Sequence, residues 1–455
     1  MNLVFLISVI LKGVGAVLTI LLQVLITRGI GLSAYGTYNT MISTADLLFW
    51  CFFSGIVKCN TFYLSGEDST LNHFKKKYYG FYVLPFILIL CVICTFLKEP
   101  SIWIIAGITL AEVMMMDRSS SLLAEKRYYQ SLVGEYILGR FCLLLMVLFL
   151  WKTDALTTRY LICAYLVQYL LVILFYMLTR ERKKRKDLSE KVSLKKWGEF
   201  QKSDVLQSVV GEMPVILQYI AAGSFEAGVL SVINLVNRMV NFISGPASKV
   251  FLPEFSRLYH ANKKEELCKS YASIMRIQML FVGPLSVVLL GYPKVIPTIL
   301  AEEMIPYQTV FLVSSSVFLF TATLGPCGGL LQMSGNEKTD NRCRIVSIFI
   351  MFAAFIILRE NSLFVIYGLC IQRICESVSK YIFVCRWMEQ MPVNPLVYAG
   401  WWLLPGAAIA LTYIFQLQES FWIILLMAGT VFIIQVVMEL KKENGYLNGR
   451  RKILS

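Results

Sequence analysis

Charged and amide side chains inside apolar stretches are where this 455-residue chain could do chemistry. Residues 4 to 26 and 40 to 64 are each long enough, at about 1.5 Å per residue, to cross a hydrocarbon core of roughly 30 Å. Yet they carry Lys12, Gln23, Asp46 and Lys58. A charge at the centre of such a helix costs about 2.5–3.5 kcal/mol on insertion scales, so each needs water or a partner inside a bundle. At 100° per residue, Lys12, Thr19, Gln23 and Thr27 share one face of the first helix. Asn39, Ser43, Asp46, Ser54 and Lys58 share one face of the second. A later run repeats the pattern with Asn234, Asn237, Arg238 and Asn241, and Lys249 follows further down. Asp46 and Glu212 are the carboxylates best placed to take up and release a proton or cation as their surroundings change. The chemistry on offer is binding and ion exchange in a wet chamber.

Covalent and metal chemistry have little to be built from. The chain has two histidines, His73 and His260, both in polar connections, and no Walker A sequence, metal-ligand cluster or nucleophile motif. No cofactor is expected. Twelve cysteines are scattered without a disulfide spacing, and the one CxxC, Cys91 and Cys94, lies in an apolar run, where packing explains it better than redox chemistry.

The elements that position these residues are membrane helices. Hydrophobic residues make up 57% of the chain and charged residues 16%, against about 25% charged in an ordinary soluble domain, and the mean hydropathy is +0.64. The net charge of +14 is spread over short connections, which suits an anionic membrane surface and not nucleic acid. About fourteen apolar runs are centred near residues 15, 52, 88, 112, 142, 168, 214, 239, 282, 320, 351, 374, 406 and 430. The weakest are the fourth, with Glu112, Asp117 and Arg118, the seventh, with Glu212 and Pro214, and the short eleventh before Arg359.

Basic residues concentrate in alternate connections: Lys75 to Lys77, Lys126 and Arg127, the stretch from Arg180 to Lys202, Lys263 and Lys264, Lys338 to Arg344, and the tail from Lys441. The opposite connections hold only Arg28, Lys98, Lys152, Arg159, Lys294 and Arg359. The positive-inside rule then makes both termini cytoplasmic. The first apolar run is too long for a signal peptide and reads as a retained span.

The expected organisation is an N-terminal lobe over 1–180, a basic linker over 181–204, a second lobe over 205–390, and two appended helices with a basic tail over 391–455. The two halves look related. Gly223 to Gly228 leads into the eighth helix as Gly31 to Gly36 leads into the second, and both following helices are polar-striped. Paired halves with polar stripes at corresponding places are a common build for a transporter. Prolines 284, 293, 297, 306 and 326 cut the second lobe and read as helix kinks. Glu112, Glu135, Arg140, Arg373 and Glu376 are expected to pair between helices.

The first hairpin carries the motif Arg28, Gly31, Tyr35-Gly36 and Tyr38. It resembles the R-x-L-G-x-x-x-Y-G-x-Y turn of the polysaccharide transporter branch of the multidrug/oligosaccharidyl-lipid/polysaccharide (MOP) exporter superfamily, with Ile30 in place of the usual Leu. The polar eighth helix and the Gly335 to Lys338 turn add to the likeness. That resemblance implies an all-α polytopic membrane protein with two six-helix lobes plus two C-terminal helices, facing each other around a cationic cavity. It implies a monomeric flippase in the bacterial cytoplasmic membrane, moving undecaprenyl-diphosphate-linked oligosaccharide from the cytoplasmic to the outer leaflet by alternating access. Its partners would be membrane lipids and the glycan polymerase and chain-length proteins. Lys12, Lys58 and Arg238 would be the cavity cations.

The residue chemistry is compatible with that role. Lysine offers a point charge and arginine a bidentate fork for phosphate, while Gln23, Asn234, Asn237 and Asn241 suit water or sugar hydroxyls. The competing explanation for Lys12 and Lys58 is that they snorkel to headgroups. Two other functions compete. A cation-coupled multidrug or small-molecule exporter of the same superfamily would favour carboxylates over cations in its cavity. A membrane glycan polymerase would need a sizeable outer loop, whereas the longest polar stretch here is basic and cytoplasmic.

Overall fold

In a bilayer every backbone N–H and C=O must find its partner within the protein, which leaves the helix as the economical element for an apolar chain. A computed structural model describes residues 3–64, 69–70, 72–86, 88–89, 100–125, 127–179, 186–187, 194–236, 254–255, 257–259 and 261–454. It is an all-α polytopic membrane fold. Apart from a two-residue parallel bridge between Ser69–Thr70 and Lys186–Asp187, the described elements are helical. Of the fourteen apolar runs, those near 88 and 239 lie largely outside the described residues, as do Cys91, Cys94 and His260.

Helix α1 (Leu3–Phe52) spans both of the first two apolar runs and is broken at one residue, Gly31, with φ 78° and ψ 165°. The sequence predicts a turn over 28–38, but the chain reverts to helix at Leu32. A left-handed φ costs glycine nothing, so the direction changes without an extended loop whose polar groups would need partners. Tyr35 stitches the break by donating its hydroxyl to Gln23 Oε1 at 2.6 Å. Three threonine hydroxyls elsewhere on α1 turn back to the helix itself. Thr27, Thr40 and Thr44 each donate to the carbonyl four residues earlier, at 2.7, 2.8 and 2.7 Å.

A second break falls at Phe53–Ser54, before α2 (Gly55–Leu64). The stripe running from Asn39 to Lys58 on one continuous helix is therefore divided, with Asp46 on α1 and Lys58 on α2. The helical phase does not carry across the break. Gln201 fills it, accepting from Gly55 N–H at 2.7 Å and donating to the Trp50 carbonyl at 2.5 Å. Gln201 belongs to α7 (Leu194–Gly211), so the stretch read as linker, 181–204, includes part of a helix whose Gln201 and Asp204 are buried.

Between these lie α3 (Asn72–Tyr78), α4 (Pro100–Ala124), α5 (Tyr128–Lys152) and α6 (Thr158–Leu178). An aromatic core of Phe49, Phe53, Phe74 and Tyr78, with Ile56, Val83 and Val113, joins α1 to α4. Then come α8 (Met213–Ala222) and α9 (Ser224–Val236).

The described chain divides into two compact units, Met1–Ser231 and Val232–Ser455. The second holds α10 (Lys264–Gly291), α11 (Gln308–Thr323), α12 (Cys327–Met333), α13 (Glu337–Ile357), α14 (Phe364–Met388), α15 (Pro395–Ile414) and α16 (Phe421–Leu454). Among the described residues eight helical segments are long and apolar enough to cross a membrane. Neither α4 nor α13 is one of them. They are helices of 25 and 21 residues, and each carries charged residues that meet partners on neighbouring helices.

The likeness between the Gly31 and Gly223 turns has a structural counterpart. Gly223 also breaks its helix at positive φ, 106°, with ψ −177°. A Cβ on Gly36 would sit 1.8 Å from the Ser224 carbonyl oxygen, and one on Gly228 would sit 2.3 Å from that of Leu32. One offset in sequence relates Leu32 to Ser224 and Gly36 to Gly228, so the two contacts are reciprocal. Ser33 and Ser224 add a 2.6 Å hydroxyl contact at the same place. Backbone meets backbone here, and no side chain fits. Gly36→Ala should sharply lower the yield of folded protein and its melting temperature in detergent, whereas Gly406→Ala, whose Cβ would meet open space, should change neither.

Candidate functional site: a buried acidic cluster

Asp46 lies on α1 beyond the Gly31 break, Glu112 midway along α4, and Glu212 at the junction of α7 and α8. The fold brings them together. Glu112 is 3% exposed, its carboxyl lies within hydrogen-bonding reach of Asp46, and Glu212 and Arg140 of α5 are close. Its Oε2 accepts no hydrogen bond. Arg140 faces Tyr38, Tyr165 and Tyr169 on the other side. Tyr165 stacks edge-on against Tyr38 and Tyr169, with ring centroids 6.3 and 5.2 Å apart, and accepts a hydrogen bond from Tyr169 at 3.3 Å.

Among the described residues the cluster gathers three acids and one guanidinium, with tyrosines around Arg140. Like charges this close in a low-dielectric setting repel strongly, so a proton or small cation is the natural complement. Among the described residues no group of histidines, cysteines and acids is arranged to hold a metal ion.

Two further charge groups are balanced. Asp117 of α4 binds Lys75 at 2.6 Å, accepts from Tyr79 at 3.1 Å, and accepts from buried Asn60 at 2.8 Å. In the second unit Lys380 of α14 lies 2.6 Å from both Asp340 of α13 and Glu376, while Arg344 lies 3.8 and 3.5 Å from the same two acids. Gln332 and Gln372 donate to Asp340 and Glu376 at 2.9 and 2.6 Å. Gly328 gives this group room, since a Cβ there would already be 3.1 Å from Asp340 Oδ1.

The residues singled out from sequence are placed as follows. Asp46 and Glu212 converge on Glu112. Gln23 holds Tyr35 across the Gly31 break. Asn234 is half-buried on α9. Lys12 and Lys58 lie within α1 and α2, their side chains beyond the described atoms, and Asn237, Arg238, Asn241 and Lys249 fall outside the described residues. Glu112, Arg140 and Glu376 do meet partners on other helices. Glu135 accepts from Ser119 of α4 at 3.0 Å, and Arg373 lies 5.8 Å from the Phe318 ring centre. Sequence reading missed the gathering of Glu112 and Arg140 around Asp46, and it missed Asp340 and Lys380. For the latter pair a signal existed. Asp340/Arg344 and Glu376/Lys380 are opposite charges four apart on consecutive helices.

The chain matches no protein-family model and no curated protein sequence. Solved structures match over most of its length. A MOP superfamily transporter from Pyrococcus furiosus, described as having a binding pocket of reversed polarity, aligns with TM-score 0.56 and 13% identity over 86% of this chain and 96% of its own. An inward-facing multidrug resistance MATE family transporter gives 0.55 and 13% over 81% and 94%, and an outward-facing one gives 0.56 and 11% over 84% and 95%. The chain therefore has the fold of the MOP superfamily transporters. These neighbours are transporters and not enzymes.

Removing one member of a balanced buried group strands its partner's charge, which costs about 3–5 kcal/mol. Lys380→Met should lower the detergent melting temperature markedly, and Lys263→Met, whose exposed pair with Glu266 is worth little, should leave it unchanged.

Proposed function

We propose that this chain is a proton-coupled secondary transporter that works by alternating access. The observation that carries the proposal is the acidic cluster. Asp46, Glu112 and Glu212 come from separate helices of one unit and meet around Glu112, with Arg140 the basic neighbour among the described residues. Such a group changes its preferred helix packing when a proton enters or leaves.

For the cargo we propose an undecaprenyl-diphosphate-linked oligosaccharide carried from the cytoplasmic to the outer leaflet of a bacterial inner membrane, with both termini cytoplasmic. Support comes from Lys12, Lys58 and Arg238 as cations within apolar runs of the sequence and from the Arg28 to Tyr38 motif. An outward-moving anion also gains about 2.3 kcal/mol per charge per 100 mV, inside negative, which adds to any proton drive. Glycan polymerase and chain-length proteins would receive the product. The second reading is a cation-coupled multidrug exporter. It is favoured by the acidic character of the cluster and by the multidrug resistance proteins among the structural neighbours.

Proteoliposomes separate the two. With a fluorescent diphosphate-linked oligosaccharide, the intact protein should flip cargo. Arg238→Ala at equal protein level should slow it roughly 10–100-fold, the range set by losing a charge-assisted hydrogen bond of about 1.5–3 kcal/mol. Undiminished flipping by that variant would remove Arg238 from the site. Efflux of a cationic dye with no movement of the oligosaccharide would favour the exporter.

A further inference from the structure

The second unit contains a groove that the transport reading does not use. It lies between α10, α15 and α16 and has a volume of about 260 Å³. Its walls include Met279, Trp401 and Met438, with Arg276 and Gln435 as the polar lining groups. Arg276 is half-buried, its Nε is buried and donates no hydrogen bond, and among the described residues no carboxylate pairs with it. Gln435 is 5% exposed, and its Oε1 accepts no hydrogen bond. A cation and an amide with unused capacity therefore face a space that is otherwise apolar. That combination is costly unless an occupant brings a negative group to Arg276 and a donor, such as a headgroup hydroxyl, to the Gln435 oxygen.

We infer that this groove binds one anionic phospholipid, its phosphate against Arg276 and one acyl chain along Met279, Trp401 and Met438. Three observations select this occupant. All three helices are apolar enough to span a membrane, and the rim residues Val397 and Met438 are 41% and 46% exposed, so the mouth opens on lipid. The volume is below the roughly 300–1,000 Å³ that encloses a drug-sized ligand, so the groove takes part of a molecule whose remainder stays in the bilayer. Arg276 also lies about three turns inside the end of α10 that carries exposed Lys263, Lys264 and Lys269, the side on which loop charge attracts anionic lipid. Gly400 lines the same groove, and a Cβ there would meet nothing within 4 Å, so the space is real at that wall. The inference depends on the chain spanning a membrane and not on its cargo.

Native mass spectrometry of the delipidated full-length protein tests it, with phosphatidylglycerol and phosphatidylcholine as probes. The wild type should retain one phosphatidylglycerol at least several-fold more tightly than phosphatidylcholine. Arg276→Gln should erase that preference, and Gly400→Leu, which fills the groove and leaves the charge, should release the tight lipid. Lys269→Gln, an exposed cation outside the groove, should retain it. Equal retention of both lipids by the wild type would overturn the proposal. So would an unchanged preference in Arg276→Gln or Gly400→Leu, a loss in Lys269→Gln as large as in Arg276→Gln, or displacement of the lipid by millimolar inorganic phosphate alone.

Discussion

Hydrocarbon offers no hydrogen bonds, and at two departures from a straight helix among the described residues a specific group makes good the loss. At Gly31 the helix turns through one residue, with Tyr35 and Gln23 joined across it. At Phe53–Ser54 the exposed backbone is taken up by both ends of the Gln201 amide. Where backbones approach most closely, at Gly36 and Gly228, side chains are absent altogether. One residue of these repairs, Gln23, belongs to the polar stripe of the first helix, so part of that stripe is structural.

The same constraint sorts the buried charges. Lys75 with Asp117, and Lys380 and Arg344 with Asp340 and Glu376, are neutral as groups and well supplied with amide or hydroxyl donors. Such groups lock helices together. Among the described residues the Asp46, Glu112 and Glu212 cluster gathers more acids than bases, and Glu112 keeps one carboxyl oxygen without a donor. The MOP fold shared with the MATE transporters gives that arrangement a place in a known transport architecture.

The sequence disclosed the fold class readily, because apolar run length and charge content are one-dimensional properties. It disclosed the polar residues but not their division of labour. Gln23 and Lys12 share a helix face, yet only packing reveals that Gln23 is engaged by Tyr35. Asp46 and Glu212 stood out as carboxylates in apolar surroundings. Their common neighbour Glu112 reads in the sequence only as a residue that pairs between helices, since nothing in the spacing of residues 46, 112 and 212 announces a shared site. The stripe ending at Lys58 assumed an unbroken helix, and the break at Phe53–Ser54 depends on a glutamine some 150 positions away in the chain. The recurrence of the Gly31 turn at Gly223 was visible as a pattern. That the two turns touch was not.

On the proposed function, proton movement through the acidic cluster is tied to cargo movement. The direct measurement is proton flux, followed with a pH-sensitive dye trapped in proteoliposomes, on addition of cargo to the wild type and to Asp46→Asn/Glu112→Gln. The account predicts a cargo-dependent proton flux in the wild type that vanishes in the double variant while the protein stays folded. Cargo-dependent proton flux of wild-type size in that variant would contradict it.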